Sequence, residues 1–571
     1  MTVHNKHRTK KPEYQSAKKK LRIIPLGGQE EVGRNMTIFE YGTDIIILDM
    51  GVQFPEEDMP GIDYIVPNVS YLKGKEKNIR AVVFSHGHLD HIGAAPILLE
   101  KLQNPTIIGR PLTLALIKNR VEDYKKGTAK SLRTITIKKV TDRQRLGEFI
   151  VSYFPVDHSI MDAVGVIIQT PAGTVIHPGD WTYEKDPLNR TAIRYDQLAR
   201  LPRPTVLMLE SLGSTNTKDR VPERVMHDNL NRLIREAPGR VIIGTFSSQI
   251  ERIKNVIEYA GSQGKKIALD GYSMKLNIEV AKQLGYIKPP RHTLIPVDQI
   301  HRFPDKRVVV LCTGAQGEPN AVLSRIVNGS HRFVKVKKTD TIIFSSSVIP
   351  GNERTIQRLK DNLYRLSDNV VHSDVMDIHS SGHSTAQDMV EVVNQIKPTY
   401  FVPVYANHYF LKEAEKLLIR QKFPKDNIFI LDNGQVLEVT PKKTQKLNEK
   451  VPADYVFVDG LGVGDISHVV LRDRQMLAAD GMLVIIVTVD KKTGSIVGSP
   501  DIISRGFIYM KHSKELVDSV RTKVRKILKD QEPRAQADET YIKNKIRDQI
   551  GQFLFTKTER RPMVLPVVIE V

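Results

Sequence analysis

Short apolar runs separated by glycine- and acid-bearing turns set the rhythm of the first third of the chain. Leu21–Leu26, Met36–Tyr41 and Ile45–Leu48 predict buried strands, and Ala81–Phe84, Ile150–Phe154 and Val164–Thr170 continue the pattern. The segment Ile92–Leu102 has helical spacing. Between about residues 215 and 365 the pattern changes: Arg240–Gly244, Val308–Leu311 and Thr341–Phe344 predict strands alternating with helical stretches such as 250–261. That alternation points to an α/β unit with a parallel sheet. Pro398–Val404 predicts another strand, and the lysine-rich stretch 441–452 reads as a linker. Beyond it, Tyr455–Val458, Val469–Arg472, Met482–Val489 and Met563–Ile569 predict strands. Two charged helical stretches complete a small α/β domain over 453–571.

The 571 residues suffice for about three or four domains with an ample core. A single cysteine, Cys312, excludes an intramolecular disulfide and a multi-thiolate zinc site. Any metal is then held by histidine and carboxylate. The longest apolar run, Met482–Val489, falls far short of the ~20 residues of a membrane helix, and the chain opens polar and basic. These features predict a cytoplasmic protein without a membrane partner. Net charge is +20, from 85 basic and 65 acidic residues. Residues 1–20 carry seven Lys/Arg and one acid, predicting a disordered basic tail. The excess suits a polyanionic partner such as nucleic acid, or else solubility through like-charge repulsion.

Candidate chemistry concentrates directly behind Ala81–Phe84, in Ser85-His86-Gly87-His88-Leu89-Asp90-His91. In extended backbone, residues two apart point the same way, so His86 and His88 can grip one ion. Asp90 and His91 open the following helix and can face a second ion. Gly87 permits a tight turn. His158 and Asp180 lie just after strands; zinc takes about four ligands and two close ions need a shared carboxylate, for which Asp180 is the natural bridge. His177 is a rival. Asp49, after Ile45–Leu48, either orients a ligand or caps a turn. The glycines of Gly27–Asn35 match no nucleotide-binding loop, since no helix follows them. The strand ends Thr245–Ser248 and Ser345–Ser347 suit phosphate or simply cap helices. His379 and His383, around Ser380-Ser381-Gly382, present imidazoles into a cleft or form a polar surface turn.

Taken together, these residues resemble the metallo-β-lactamase-fold nucleases that carry an inserted β-CASP domain, and within them ribonuclease J. The resemblance runs from about residue 20 to the C-terminus. It rests on Gly27–Asn35, the His-x-His-x-Asp-His core, Thr313–Pro319, Ile349–Glu353, His379–His383, Asp459–Asp465, Leu471–Arg474 and Ser504–Phe507. It implies an α/β protein: a four-layer αββα metallo-β-lactamase fold over 21–214 and 366–440, a β-CASP α/β domain over 215–365, and a small C-terminal α/β domain. It implies two zinc ions, one on His86, His88 and His158, the other on Asp90 and His91, with Asp180 bridging; manganese or magnesium is an alternative. It assigns His383 to proton transfer to the leaving oxygen, Glu210 to the acidic motif of the insertion, and Ser248, His379 and Ser381 to the RNA 5′-phosphate. The activity implied is 5′-to-3′ exonucleolytic and endonucleolytic RNA decay and processing by a homodimer or homotetramer, with an RNA-degradation complex as a further partner. One position departs from the family pattern. A final metal-ligand histidine commonly follows the strand ending at Val404, where this chain has Tyr405, then Ala406-Asn407-His408. The second ion then has a weaker site unless Tyr405 or His408 serves as a ligand.

Three function classes follow: a metal-dependent ribonuclease; a weakly active or inactive paralogue that binds RNA and scaffolds a decay complex; and a small-molecule hydrolase on the same fold. The basic charge and the inserted domain disfavour the third.

Overall fold

In the computed structural model, the residues described are 19–187, 191–318, 320–346, 348, 352–466, 468–490, 495–529 and 539–571. The tail before residue 19, Pro319, Ser347 and Ile349–Gly351 lie outside them. Contacts divide the chain into two compact units, one running to Gln53 and from Val66 to Tyr455, the other Phe54–Ile65 with Val456–Val571.

The first unit contains three sheets. One has eight strands in the order Thr444–Lys450, Gln435–Val439, Leu21–Gly27, Met36–Tyr41, Asp44–Leu48, Ile79–Val83, Ile107–Gly109, Thr134–Thr136. The second has six, in the order Tyr400–Val404, Thr205–Glu210, Gly173–His177, Val164–Thr170, Phe149–Pro155, Arg143–Leu146. Their inner faces share one apolar core, in which Phe39, Ile46 and Val83 of the first sheet meet Val151, Val166, Met208 and Val402 of the second. The outer face of the second sheet is covered by helices Ala386–Ile396 and His408–Arg420 through Met389, Val393, Ala414 and Leu418. Helix Pro111–Tyr124 packs on strands of the first. This is the αββα sandwich.

The third sheet interrupts the sandwich between two neighbouring strands. Thr205–Glu210 pairs in parallel with Tyr400–Val404, from Val206 opposite Tyr400 to Glu210 opposite Val404. The chain between them builds a parallel sheet ordered Leu294–Ile295, Lys266–Asp270, Val308–Cys312, Val241–Gly244, Thr341–Phe344, Asn369–His372, then returns to the sandwich through helix Ala386–Ile396. The central strands Val308–Cys312, Val241–Gly244 and Thr341–Phe344 are buried throughout, so they read as apolar runs rich in Val and Ile.

In the second unit, Asp501–Arg505, Met482–Val489 and Met563–Glu570 form a sheet whose one face packs on helices Lys514–Lys529 and Glu539–Thr558. Among the described residues no helix is long and apolar enough to cross a membrane.

Four expectations are corrected. The supposed linker 441–452 contains an edge strand, Thr444–Lys450, paired with Gln435–Val439. An edge strand with one neighbour can be lysine-rich, and lysines discourage further pairing there. The inserted sheet runs past residue 365, since Asn369–His372 pairs with Thr341–Phe344. Val469–Arg472 is no strand but the start of helix His468–Asp480, whose Gln475–Ala479 stretch favours helix. Finally, Lys19 and Lys20, assigned to the free tail, form ion pairs with Glu148 and Glu438.

Candidate active site

Strand Ile79–Val83 delivers the histidine motif to the mouth of the sandwich, and a short helix, Leu89–Ile92, starts immediately after His88. His88 Nδ1 lies 3.1 Å from His86 Nε2 and 2.9 Å from His158 Nε2, so three imidazole nitrogens converge. Asp180 Oδ2 approaches His158 Nε2 at 3.9 Å. His86, His88, His158 and Asp180 thus offer four ligand atoms within 4.8 Å of one another, and Asp90, His91 and Asp180 offer a second such group. The donors fit metal ions. Burial, reinforced for His86 and His158 by the neighbouring imidazoles, drives those two well below the usual histidine range, and burial brings His88 down to about 4. All three therefore present neutral, coordinating nitrogens. Burial opposes ionisation of Asp180 as well, but His91 outweighs it and keeps the carboxylate charged.

His91 is tied on both sides. Its Nδ1 is 2.7 Å from Asp49 Oδ2, while Nε2 faces Asp90 at 3.4 Å and Asp180 at 3.3 Å. Asp49 also accepts from the Ser85 amide and hydroxyl, each at 2.8 Å, so its carboxylate braces the His91 ring and the start of the motif together. Asn35, to which no role was assigned from sequence, brings its Nδ2 to 2.9 Å from His91 Nε2 and 3.3 Å from Asp90 Oδ2. Backbone bonds from the Asn35 amide to Asp90 O and from the Gly51 amide to Asn35 O hold it there. The only signal in the sequence is its place at the end of the Gly27–Asn35 turn.

His383 stands at the rim of the cluster, with its ring centroid 6.0 Å from that of His158 and its Nδ1 3.7 Å from Glu210 Oε1. Burial disfavours its imidazolium, but Glu210, then Asp180 and Asp90, prevail and push it up to about 9. Glu210 closes strand Thr205–Glu210 and accepts from the Leu212 amide at 2.7 Å. The loop before His383 also braces a ligand, because Gly382 O lies 2.8 Å from His158 Nδ1.

Tyr405 is buried, with φ +61°, beside the second group; its ring is 5.3 Å from that of His91 and 5.1 Å from that of His177. Gly28 makes room for it, since a Cβ there would stand 2.7 Å from the Tyr405 ring. Burial, followed by Asp49, Asp180 and Asp90, drives its hydroxyl well above the usual tyrosine range, so it stays a phenol. His177, the rival ligand, lies outside both groups; its Nδ1 accepts from the Gly179 amide at 3.0 Å. His408 is corrected as a ligand candidate. It opens helix His408–Arg420, more than half exposed, and pairs with Glu30 Oε1 at 2.6 Å.

At the carboxyl ends of the inserted parallel strands lies a second polar site. Ser248 sits in the turn into helix Ile250–Ser262, one turn before Arg252. The buried Arg252 guanidinium donates to Ser345 O at 3.0 Å and approaches His379 Nδ1 at 3.0 Å, with Gln249 as a further acceptor. Burial and neighbouring Arg220 bring Arg252 down to about 9, so it remains charged at neutral pH. Ser381 Oγ accepts from the His383 amide at 3.1 Å, and Arg220 Nε donates to Ser381 O at 3.1 Å while pairing with Glu184. Arg252 and Arg220 were not singled out from sequence.

Comparison with known proteins agrees with this geometry. Residues 30–215 match the metallo-beta-lactamase superfamily, 238–363 the beta-CASP domain of ribonuclease J, and 469–571 the ribonuclease J C-terminal domain. The chain is 38% identical over 558 residues to ribonuclease J 1 of Streptococcus pyogenes serotype M3, covering 96% of this chain and 97% of the relative. It is 33% identical over 553 residues to ribonuclease J2 of Bacillus subtilis strain 168, covering 96% and 99%. A crystal structure of a protein of unknown function from Enterococcus faecalis V583 shares the fold at TM-score 0.50 and 16% identity, covering 74% of this chain and all of that one. Three family matches in order, and relatives spanning nearly the whole chain at more than 30% identity, place it in the ribonuclease J family, the metal-dependent ribonucleases of the metallo-β-lactamase fold.

Proposed function

We propose that this chain hydrolyses RNA phosphodiesters at the His/Asp centre, degrading 5′-to-3′ from 5′-monophosphate ends and also cutting internally, in RNA decay and processing. His86, His88 and His158 would hold one zinc ion, and Asp90 and His91 the other, with Asp180 available to both. The chemistry such ions supply is charge neutralisation at the phosphate and a water with its pKa lowered towards ~7. Asp49 and Gly382 O fix the tautomers of His91 and His158. His383, protonated at neutral pH, lies on the open side where the leaving oxygen needs a proton.

The observation that carries 5′-end recognition is Arg252. Among the described residues its hydrogen bonds go to Gln249, Ser345 and His379, none of them a carboxylate, while Glu223 acts on it only through space, so this buried cation has no hydrogen-bonded anion there. His379 Nδ1 accepts a hydrogen bond from the Arg252 guanidinium, which leaves the ring's own proton on Nε2, a buried atom without a partner. A phosphate monoester supplies the anion and acceptor that both lack, with Ser248 and Ser381 alongside. The loop 379–383 then links the end pocket to the metal centre. Assembly as a homodimer or homotetramer, a place in an RNA-degradation complex and a cytoplasmic location complete this reading.

The test is cleavage of one RNA bearing a 5′-monophosphate or a 5′-hydroxyl. Wild type should prefer the monophosphate, and Arg252→Gln should lower that preference roughly 10-fold or more, the scale of a charged hydrogen bond. Equal rates on both ends would remove the pocket from the mechanism. The phenol at Tyr405 favours a second reading, a weakly active RNA-binding paralogue that scaffolds a decay complex; tight RNA binding without cleavage in the same assay would select it.

A further inference from the structure

The two groups of metal donors differ in composition. His86, His88, His158 and Asp180 provide three imidazole nitrogens and one carboxylate, a closed four-donor set of the kind zinc prefers. Asp90, His91 and Asp180 provide one nitrogen and two carboxylates, and Asp180 is already shared. Around this second group lie buried oxygens without partners. Tyr405, 3% exposed, has an unpartnered hydroxyl beside His91, and Asn35, 1% exposed, has an unpartnered Oδ1 while its amide nitrogen contacts both His91 and Asp90. His177 Nε2, whose ring is 5.1 Å from that of Tyr405, is likewise buried and unpartnered, but it lies outside both donor groups, whereas Asp49 is tied down by Ser85. Such orphaned oxygens next to an incomplete donor set are what an oxygen-coordinated ion would use.

We propose that the two ion positions are chemically unequal: the histidine-rich group retains zinc, whereas Asp90, His91 and Asp180, completed by the Tyr405 hydroxyl, form a looser, oxygen-rich position that takes a harder divalent cation such as manganese. The inference rests on the two-ion reading of the centre. Nitrogen donors set zinc apart from manganese, and oxygen donors narrow that gap. Zinc supplied in excess will therefore fill both positions, and the difference emerges when zinc is limiting.

The test uses the full-length protein and reads metal content. Dialysis against a graded series of chelators, followed by elemental analysis, should leave about one zinc per chain over a range of about 10-fold or more in chelator strength. That one-zinc form should then bind one equivalent of manganese(II), followed as loss of the free-ion signal in electron paramagnetic resonance. Tyr405→Phe, which keeps the ring, should weaken manganese binding about 10-fold and leave the retained zinc in place. Tyr405→His, which adds a nitrogen, should make the protein retain two zinc ions. Two ions leaving at the same chelator strength, or manganese binding indifferent to Tyr405→Phe, would overturn the inequality while leaving the two-ion centre intact. A chain that takes up no metal would overturn the centre itself. The wild-type chelator series decides even if a variant misfolds.

Discussion

His383 meets the requirements of a general acid through its neighbours. Its pKa rises because Glu210, with Asp180 and Asp90 behind it, favours the imidazolium over the cost of burial. The Glu210 contact is an ion pair at 3.7 Å, too long for a hydrogen bond, and 37% of the His383 side chain remains open to water, which screens it. His383→Ala should lower kcat by ~10²-fold or more with little change in Tm; unchanged turnover would exclude the role. The basic limb of the rate profile should lie near pH 9, and Glu210→Gln should move it to lower pH, since removing the anion favours loss of the proton. The same shift bears on stability. A pKa raised above its unfolded value of 6.5 stabilises fully below that value, and the contribution is lost as pH rises through about 9. The motif residues themselves were legible because so many metal-capable side chains in so short a stretch have few other uses. Asn35 and Arg252 were not, because each acquires its meaning from a distant partner, Asp90 and His379. His408 misled through proximity in sequence: after Tyr405 at φ +61°, helix His408–Arg420 begins and turns it outward.

The element that joins the two sites is the loop from His379 to His383. Arg252 approaches His379, Ser380 donates to Val221 O at 2.8 Å, Arg220 donates to Ser381 O, and Gly382 O meets His158. Arg220 is held in turn by Glu184 at 2.5 Å, and the Arg220 and Glu184 side chains are only 12% and 4% exposed. Removing one partner of a buried pair leaves an uncompensated charge, with a typical cost of about 3–5 kcal/mol. Arg220→Ala should therefore lower Tm by several degrees and raise KM for 5′-monophosphorylated RNA more than it lowers kcat; an unchanged KM would show that the loop keeps its shape without the strut. At this scale the sequence was most legible where strands are buried on both faces. Val241–Gly244, Val308–Cys312 and Thr341–Phe344 leave little choice but a parallel sheet. It was least legible at edges. Thr444–Lys450 needs apolar residues at few positions because only one strand neighbours it, and Val469–Leu471 looks like a strand although it opens a helix.

For the whole molecule, charge decides how a long polyanion binds. The net charge of +20 exceeds what solubility requires of a 571-residue chain, and the ligands at the metal centre are largely neutral imidazoles, so the excess lies elsewhere. Single-stranded RNA bound through ~6 phosphates releases counterions with a slope of about −0.7 per contact in log affinity against log salt. Raising salt from ~50 to ~200 mM should then weaken binding by roughly 300-fold. Residues 1–18 carry five Lys/Arg and one acid, whereas Lys19 and Lys20 are already paired with Glu148 and Glu438. Deleting 1–18 should lower both affinity and the magnitude of the salt slope, yet leave cooperative unfolding and the cleavage rate at saturating RNA unchanged. If the proposed end pocket takes one phosphate and the centre another, most of the slope must come from contacts between and beyond them. A slope near about −1.4, two contacts' worth, would mean that the two sites alone carry the affinity and that the surrounding charge has another purpose. Measuring the slope with RNAs of increasing length separates these cases: it should steepen until the RNA outgrows the basic surface and then level off.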